Sequence, residues 1–232
     1  SSVGFIHGVY HMALPDGTST RPSEYTGSAF MVRDGWIASC RHVLAPWNDD
    51  ARHRDMFASG AVPVFTVLTI TFPGRSAMDI DPMTIRHSTL VDTAVARLST
   101  PSDIPILEMR EDGTEGTGVN AYVLGYPLGV GPLYYRSPAP GRMGYPNFGS
   151  LGEKLAYLSR LGLVEPLFFR GVINSSKRHL ITTDAAMTFG CSGGPVLGDD
   201  GRVIGVNFAI LSGFDGMNMV VPICHILHLI RG

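Results

Sequence analysis

Short apolar runs, most of them rich in β-branched residues and bounded by turn residues, recur along the whole chain. They occupy positions 29–32, 36–39, 62–72, 93–98, 121–124, 172–174, 203–208 and 219–222. Runs of this length and spacing predict an all-β fold, built as an antiparallel sandwich or barrel. The segment GDDGR at 198–202 lies between two apolar runs and predicts a hairpin turn.

Three segments depart from the strand pattern. Positions 45–60 are polar and mixed, which predicts a surface loop with a turn of helix. Positions 132–169 begin with proline and glycine and continue with leucines at 151, 155, 158 and 161, so this stretch is predicted to be partly helical. The apolar stretch 223–230 follows Pro222 and predicts a short closing helix.

The composition agrees with one turn-rich unit. The 232 residues include 28 glycines and 16 prolines, 44% are hydrophobic and only 16% are charged. Such a chain has enough apolar material for a core, which excludes disorder, and too many breakers for long helices to dominate. Because no repeat, low-complexity tail or linker is visible, we expect a single domain over 1–232.

Charge and cysteine content narrow the classes of partner and compartment. With 18 basic and 20 acidic residues the formal net charge is −2, so we expect neither nucleic acid nor an anionic membrane as a partner. The sequence contains no run of 18 apolar residues, so no membrane span is predicted. The first 30 positions show no export signal. Three cysteines cannot all pair. They are expected as free thiols, which favours an intracellular location unless the chain is processed from a longer protein.

The strongest chemical motif is FGCSGGPVL at 189–197, where Ser192 is flanked by glycines. A nucleophilic serine needs such a sharp, open turn. The motif also fits the G-x-S-x-G elbow of α/β-hydrolases, with Asp215 and His225 in the required order. That elbow needs a helix directly after the serine, whereas the sequence here predicts a strand, a turn and another strand. The order His, Asp, Ser is therefore favoured.

Two upstream residues complete this order. His42 follows two strand-like runs within 27–44, and Asp92 heads the alternating run at 93–98, where a buried aspartate would orient a histidine. Each is weak alone, because a histidine beside a strand is usually structural. Together, at gaps of 50 and 100 residues, they predict a triad of His42, Asp92 and Ser192.

The segments GSAFMV, WIASCRHVL, VDTAVARL, VLGYPLGVG, TTDAAMTFGCSGGPVL and GRVIGVNFAI resemble the successive signature segments of trypsin-like serine peptidases. They are most similar to the bacterial HtrA (Deg) branch. The resemblance implies a chymotrypsin-like double six-stranded antiparallel β-barrel, with barrels at about 1–105 and 115–232. It further implies peptide bond hydrolysis through an acyl-enzyme, without a cofactor or metal.

The same resemblance assigns roles to individual residues. Ser192 would attack the scissile carbonyl, His42 would move the proton and Asp92 would orient the imidazole. The backbone N–H groups of Gly190 and Ser192 would form the oxyanion hole, and the strand from Val206 to Ala209 would pair with the substrate backbone. The pocket walls would come from Ala186, Met187, Thr188 and Phe189 on one side, and from a second wall that includes Asn207, Phe208 and Ala209.

Other positions qualify this interpretation. No acid occurs at 186–189, so a small or medium apolar residue is expected before the cleaved bond. Cys191 stands where secreted digestive relatives have an aspartate, and is expected to be a small buried filler. His225 and His228 share a predicted helix face but lack a third ligand, so no metal site is expected.

A second functional class stays open. The chain would then be a dormant or gated trypsin-like domain that serves as a protein-binding module. In either class 132–169 is a surface excursion with its own small core, or a lid or docking element for a partner. The family resemblance also suggests that the chain forms a homo-oligomer.

Overall fold

The computed structural model of the protein describes residues 1–111, 115–136, 148–186, 188–210 and 217–231. The side chains of residues 51, 52, 54, 209 and 210 are outside this description. The strands are β1 (Val3–Ala13), β2 (Ser23–Arg33), β3 (Trp36–Ser39), β4 (Val62–Thr71), β5 (Met78–His87), β6 (Ala94–Leu98), β7 (Asn120–Gly125), β8 (Leu167–Lys177), β9 (Leu180–Thr183), β10 (Pro195–Leu197), β11 (Val203–Ile210) and β12 (Asn218–Pro222). The α-helices are α1 (Arg41–Leu44), α2 (Ala51–Ala58), α3 (Gly131–Tyr135), α4 (Leu151–Arg160) and α5 (Cys224–Arg231), and a 3₁₀ turn covers Pro46–Asn48.

The strands close into two antiparallel barrels. The first has the order β1-β2-β3-β6-β5-β4 and the second the order β10-β11-β12-β9-β8-β7. The predicted all-β class and the double six-stranded barrel are therefore confirmed. Each predicted apolar run lies within a strand or overlaps one closely, because alternating side chains on a barrel strand face the interior and the surface in turn.

The barrels share a continuous core. Buried residues of the first barrel pack in one apolar cluster with Val203 and Val206 of the second and with Tyr126, which follows β7. The Tyr126 hydroxyl donates to the carbonyl of Val3 in β1 at 3.1 Å, and its ring meets Phe5 edge to face. A separate cluster of small and branched residues, including Val123 and Ile204, fills the second barrel. Close packing at this junction holds the two barrels against each other.

The insertion at 132–169 is partly helical, as predicted, over its described residues. Helix α4 begins after Ser150, whose hydroxyl accepts the backbone N–H of Glu153 at 3.2 Å, an N-cap that satisfies one free donor of the first turn. Leu155 and Leu158 are buried in the cluster that also contains first-barrel residues, so α4 has no separate core. Leu161 lies beyond the helix and is 46% exposed.

Three local predictions can be compared with the structure. The GDDGR hairpin joins β10 to β11, with the N–H of Gly198 donating to the carbonyl of Arg202 at 3.0 Å. The segment 45–60 is more helical than predicted, because α2 extends over Ala51–Ala58. The closing helix is present as α5. Among the residues that the structure describes, no helix has the length and apolarity needed to cross a membrane.

Candidate active site

His42 and Asp92 are brought together by strand pairing in the first barrel. His42 lies in α1, which starts directly after β3, and Asp92 lies in the loop that leads into β6. Strands β3 and β6 pair with Ser39 opposite Ala94. The residues just after one strand and just before the other therefore meet at the same end of the barrel, which explains how a separation of 50 positions in sequence becomes a direct contact.

Asp92 accepts two hydrogen bonds from His42. The ring Nδ1 lies 2.5 Å from Oδ2 of the carboxylate, and the backbone N–H of His42 donates to Oδ1 at 3.0 Å. The Asp92 side chain is 16% exposed and that of His42 is 34% exposed. Burial opposes the charge of Asp92, but the hydrogen bonds and the charge of His42 outweigh it and hold the pKa of the carboxyl below its ordinary value. An ionised carboxylate there holds the Nδ1 proton in place, which leaves Nε2 as the outward acceptor.

Ser192 lies in the loop between β9 and β10 and is partly exposed. Its hydroxyl donates to the carbonyl of Phe208 in β11 at 3.4 Å, a long and weak bond. Among the described residues, no hydrogen bond joins Ser192 to His42. The structure thus links the first two members of the predicted triad directly, while the serine hydroxyl has a different partner.

The peptide bond between Phe189 and Gly190 is held through its carbonyl group. The carbonyl of Phe189 accepts the N–H of Leu128 at 2.6 Å. In a trans peptide the N–H points opposite to the carbonyl. The N–H of Gly190 therefore points away from Leu128, and it makes no hydrogen bond within the described part of the chain.

The peptide before Ser192 follows the same rule. The carbonyl of Cys191 accepts the N–H of Gly194 at 3.0 Å, so the N–H of Ser192 points away from Gly194. This N–H also has no acceptor among the residues that the structure describes. Gly190 and Ser192, the two predicted oxyanion donors, are therefore both available to a ligand oxygen.

The neighbouring N–H groups of this loop are engaged. Cys191 donates to the carbonyl of Thr188 at 3.1 Å, and Gly193 donates to the carbonyl of Asn207 at 2.8 Å. The bonded and the free N–H groups thus alternate along the loop.

Two residues outside the predicted set hold the same loop. Leu128 supplies the N–H described above from a left-handed backbone conformation, with φ of 55°. Ser28 in β2 donates its hydroxyl to the carbonyl of Gly190 at 2.8 Å. Ser28 is part of the quoted GSAFMV segment, but a small serine in a strand gives no local signal of such a role.

Two buried thiols lie near the site. Cys40 precedes His42 and donates to the carbonyl of Asn207 at 3.1 Å. Burial, and then the negative charge of Asp92, raise the pKa of the Cys40 thiol well above its ordinary value. The donor atoms of Cys40, His42 and Asp92 lie within 4.8 Å of one another. A metal ligand must be a thiolate, and a protonated thiol that donates to a carbonyl is poorly suited to that role. Burial also raises the pKa of Cys191, in agreement with its expected role as a filler.

The predicted substrate-binding residues divide into two groups. Ala186 is exposed, Thr188 is partly exposed and Phe189 is 82% exposed beside the oxyanion loop. In β11, by contrast, the side chains of Val206 and Asn207 are buried. Met187, Asp215, the side chain of Ala209 and positions 137–147 of the insertion lie outside the described residues.

Strand β11 was predicted to pair with substrate from Val206 to Ala209, but only the later part of this stretch has an open edge. Val206 pairs with Pro195 of β10, and the backbone of Asn207 bonds to Gly193 and Gly194. From Phe208 onward this side of the strand has no strand partner in the described part of the chain. In the described part of the chain the backbone from Phe208 toward Ile210 is therefore an unpaired strand edge, and the Phe208 carbonyl accepts the Ser192 hydroxyl.

Comparisons with known proteins identify the family of the chain and proteins of similar sequence. A family model described as a trypsin-like peptidase domain matches residues 27–206. The putative serine protease HhoB of Synechocystis sp. is 28% identical over 199 residues, which are 85% of this chain and 38% of that protein. The chain thus spans less than two fifths of the length of this relative.

Solved structures show the same fold. The active form of the Rv3671c protease from M. tuberculosis superimposes with a TM-score of 0.63 at 16% identity, over 99% of this chain and 79% of that one. The HtrA-type protease AlgW, crystallised with a tripeptide, gives a TM-score of 0.62 at 18% identity, over 99% of this chain and 59% of that one. At such identities the likeness concerns the fold alone.

Proposed function

The chain belongs to the trypsin-like peptidase domain family, and we propose that it is a serine endopeptidase that uses His42, Asp92 and Ser192 as its triad. The observation that carries this proposal is the pair of hydrogen bonds by which Asp92 holds His42, and the unbonded N–H groups of Gly190 and Ser192 in the nucleophile loop support it. Similarity to the putative serine protease HhoB supports the same reaction.

In the first step the Ser192 hydroxyl attacks the scissile carbonyl and passes its proton to Nε2 of His42. The hydroxyl must first leave the carbonyl of Phe208, to which its 3.4 Å bond is long and weak. Asp92 keeps the proton on Nδ1 and stabilises the imidazolium that forms. His42 then returns the proton to the leaving amine. Water repeats the sequence on the acyl-enzyme.

The negative oxygen of the tetrahedral intermediate would be bound by the N–H groups of Gly190 and Ser192. Both donors are already turned away from protein acceptors, so they need no reorganisation when charge develops. In related chemistry the loss of one such donor costs about 3 to 4 kcal/mol.

Substrate would bind as an added strand along β11 from Phe208. Among the described members of the pocket wall, Ala186, Thr188 and Phe189 carry no charge. This supports a preference for a small or medium apolar residue before the cleaved bond, and disfavours lysine or arginine.

One observation favours a gated enzyme as the second candidate. The Ser192 hydroxyl donates to Phe208 rather than to His42, so the serine would be idle until a substrate or partner changes its rotamer. In this form the domain would act as a protein-binding module whose catalysis is dormant.

Labelling with a fluorophosphonate probe tests the proposal. We expect the wild-type chain to be labelled at Ser192, the Ser192→Ala variant to be unlabelled, and the Cys191→Ala variant to be labelled at nearly the wild-type rate. Labelling that needs an added peptide would favour the gated enzyme. If a folded wild-type chain is not labelled under either condition, the proposed function is wrong.

A further inference from the structure

Ser28 is the most heavily bonded small residue near the nucleophile. It is fully buried in β2 of the first barrel. Its N–H donates to the carbonyl of Ser192 at 2.9 Å, and its hydroxyl donates to the carbonyl of Gly190 at 2.8 Å. The same hydroxyl oxygen accepts the N–H of Tyr126 at 3.1 Å. The backbone N–H and the side-chain hydroxyl of Ser28 therefore both bond to the loop that carries the nucleophile.

These bonds hold the loop on both sides of the Ser192 N–H. The carbonyl of Gly190 lies before that N–H in the chain and the carbonyl of Ser192 lies after it. The peptide between these two carbonyls, Cys191–Ser192, carries the Ser192 N–H, and its own carbonyl accepts the N–H of Gly194 at 3.0 Å, so it cannot turn over without breaking that bond. An unpartnered buried carbonyl costs more than an average hydrogen bond contributes. The first barrel thus holds the Gly190–Cys191 and Ser192–Gly193 peptides, which lie on either side of the peptide that carries the Ser192 N–H.

The packing around Ser28 leaves no freedom for this arrangement to shift. A Cβ at Gly193 would lie 2.1 Å from the carbonyl oxygen of Ser28, and one at Gly125 would lie 3.1 Å from its hydroxyl oxygen. The first distance is too short for any real Cβ, so glycine is required at Gly193, whereas a Cβ at Gly125 would need its neighbours to shift by a few tenths of an ångström. The Ser28 hydroxyl lies where strand β2 meets two segments of the second barrel: Tyr126, which follows β7, and Gly190, in the loop before β10.

We propose that the Ser28 hydroxyl is a positioning group for the oxyanion hole, which makes the orientation of the Gly190–Cys191 peptide depend on contact between the two barrels. This inference rests on the proposed peptidase function. Ser28 touches no reacting atom, and its effect on catalysis passes through Gly190 and Ser192.

The Ser28→Ala variant tests the proposal against a matched control, Ser39→Ala. Ser39 is also fully buried, and its hydroxyl donates to the carbonyl of Ser28 at 2.7 Å without a hydrogen bond to residues 188–193 in the described chain. We expect kcat of Ser28→Ala to fall by roughly 10- to 100-fold with KM changed by less than about threefold. For Ser39→Ala we expect kcat to fall by less than about threefold.

A peptide aldehyde separates positioning from general destabilisation. Its hemiacetal oxygen occupies the oxyanion hole, so its inhibition constant should rise in Ser28→Ala by about the same factor as kcat falls. Equal losses of kcat in the two variants, or an unchanged inhibition constant, would overturn the proposal.

Crystal structures of the two variants provide a readout that does not depend on activity. We expect the Gly190–Cys191 peptide to be rotated in Ser28→Ala and unchanged in Ser39→Ala. An unrotated peptide in Ser28→Ala contradicts the positioning role even if the wild-type chain cleaves peptides. Conversely, a rotated peptide supports that role even if the wild-type chain proves inactive, which would contradict only the proposed function.

Ser28→Cys covers the case in which Ser28→Ala does not fold. A thiol keeps a side chain of similar shape but is a weak donor. We expect the same changes in kcat, inhibition constant and peptide orientation, each smaller than in Ser28→Ala. Wild-type values for all three in a folded Ser28→Cys variant would contradict the proposal.

Discussion

Asp92 accepts two hydrogen bonds from His42: its Oδ2 lies 2.5 Å from the ring Nδ1, and its Oδ1 accepts the backbone N–H at 3.0 Å. The carboxylate thereby fixes the position of the helix residue as well as the direction of its ring. The catalytic and the structural parts of this contact can be measured separately.

The catalytic part is tested by Asp92→Asn. An amide can present its NH₂ group to Nδ1, which would move the ring proton to Nε2 and remove the base that Ser192 needs. We expect kcat to fall by roughly 10³- to 10⁴-fold, as measured on a peptide substrate at neutral pH. A variant that keeps more than a tenth of wild-type kcat would remove Asp92 from the triad.

The structural part appears in the pH dependence of stability. The pKa of Asp92 is lower in the folded chain than the value of about 3.9 for a free aspartate. The resulting stabilisation is complete above that value and is lost as the pH falls through the lower folded pKa. The difference in unfolding free energy between wild type and Asp92→Asn should therefore stay constant from pH 6 to about pH 4 and shrink as the pH falls further. Urea unfolding measures it, and a difference that stays constant contradicts the assignment.

Cysteine reactivity should follow burial. Cys40 and Cys191 are fully buried, and burial raises the pKa of both thiols, whereas Cys224 at the start of α5 is partly exposed. Iodoacetamide at pH 7.5 should modify Cys224 well before the other two, because the thiolate is the reactive form. Peptide mass spectrometry reports the order. Early modification of Cys191 would show that the nucleophile loop opens in solution.

Gly193 should tolerate no side chain. Its φ is 87°, and an added Cβ would meet the Ser28 carbonyl oxygen at 2.1 Å and the Ser39 hydroxyl at 2.0 Å. Gly193→Ala should therefore destabilise the chain severely, by more than about 3 kcal/mol, or prevent folding. Gly201→Ala is the control, because Gly201 has a similar φ of 76° but open space around it. Its expected cost is about 1 kcal/mol, from backbone strain alone. Similar melting temperatures for the two variants would contradict the close contact.

Helix α4 should contribute directly to global stability. Leu158 is fully buried in the core cluster that contains first-barrel residues, so Leu158→Ala should lower the unfolding free energy by about 2 to 5 kcal/mol. Leu161→Ala, at a 46% exposed position just beyond the helix, should change it by less than about 0.5 kcal/mol. Denaturant unfolding distinguishes the two. A small effect of Leu158→Ala would mean that the insertion unfolds on its own.

Some elements could be found from local pattern and others could not. Strand β3 coincides with its predicted run, a short stretch in which Ile37, Ala38 and Ser39 are all buried. Strand β5 has a single buried residue, Ile80, and contains Pro82, so it carries no periodic signal of its own. Its pairing with β4 and β6 is what makes it a strand. The helix α2 was underestimated for a similar reason, since its stretch is polar and mixed.

The sequence by itself determined the all-β class and the turn positions, and it proposed His42, Asp92 and Ser192 as the triad, because these depend on short-range periodicity and on residue order. The tertiary structure alone decided which groups meet. The hydroxyl of Ser28 reaches the carbonyl of Gly190 across 162 positions of sequence. The free N–H groups of Gly190 and Ser192, and the turn of the Ser192 hydroxyl toward Phe208, likewise follow from contacts around this junction. Such hydrogen bonds arise from the close approach of two barrels, and no local pattern of apolar and polar residues encodes that approach.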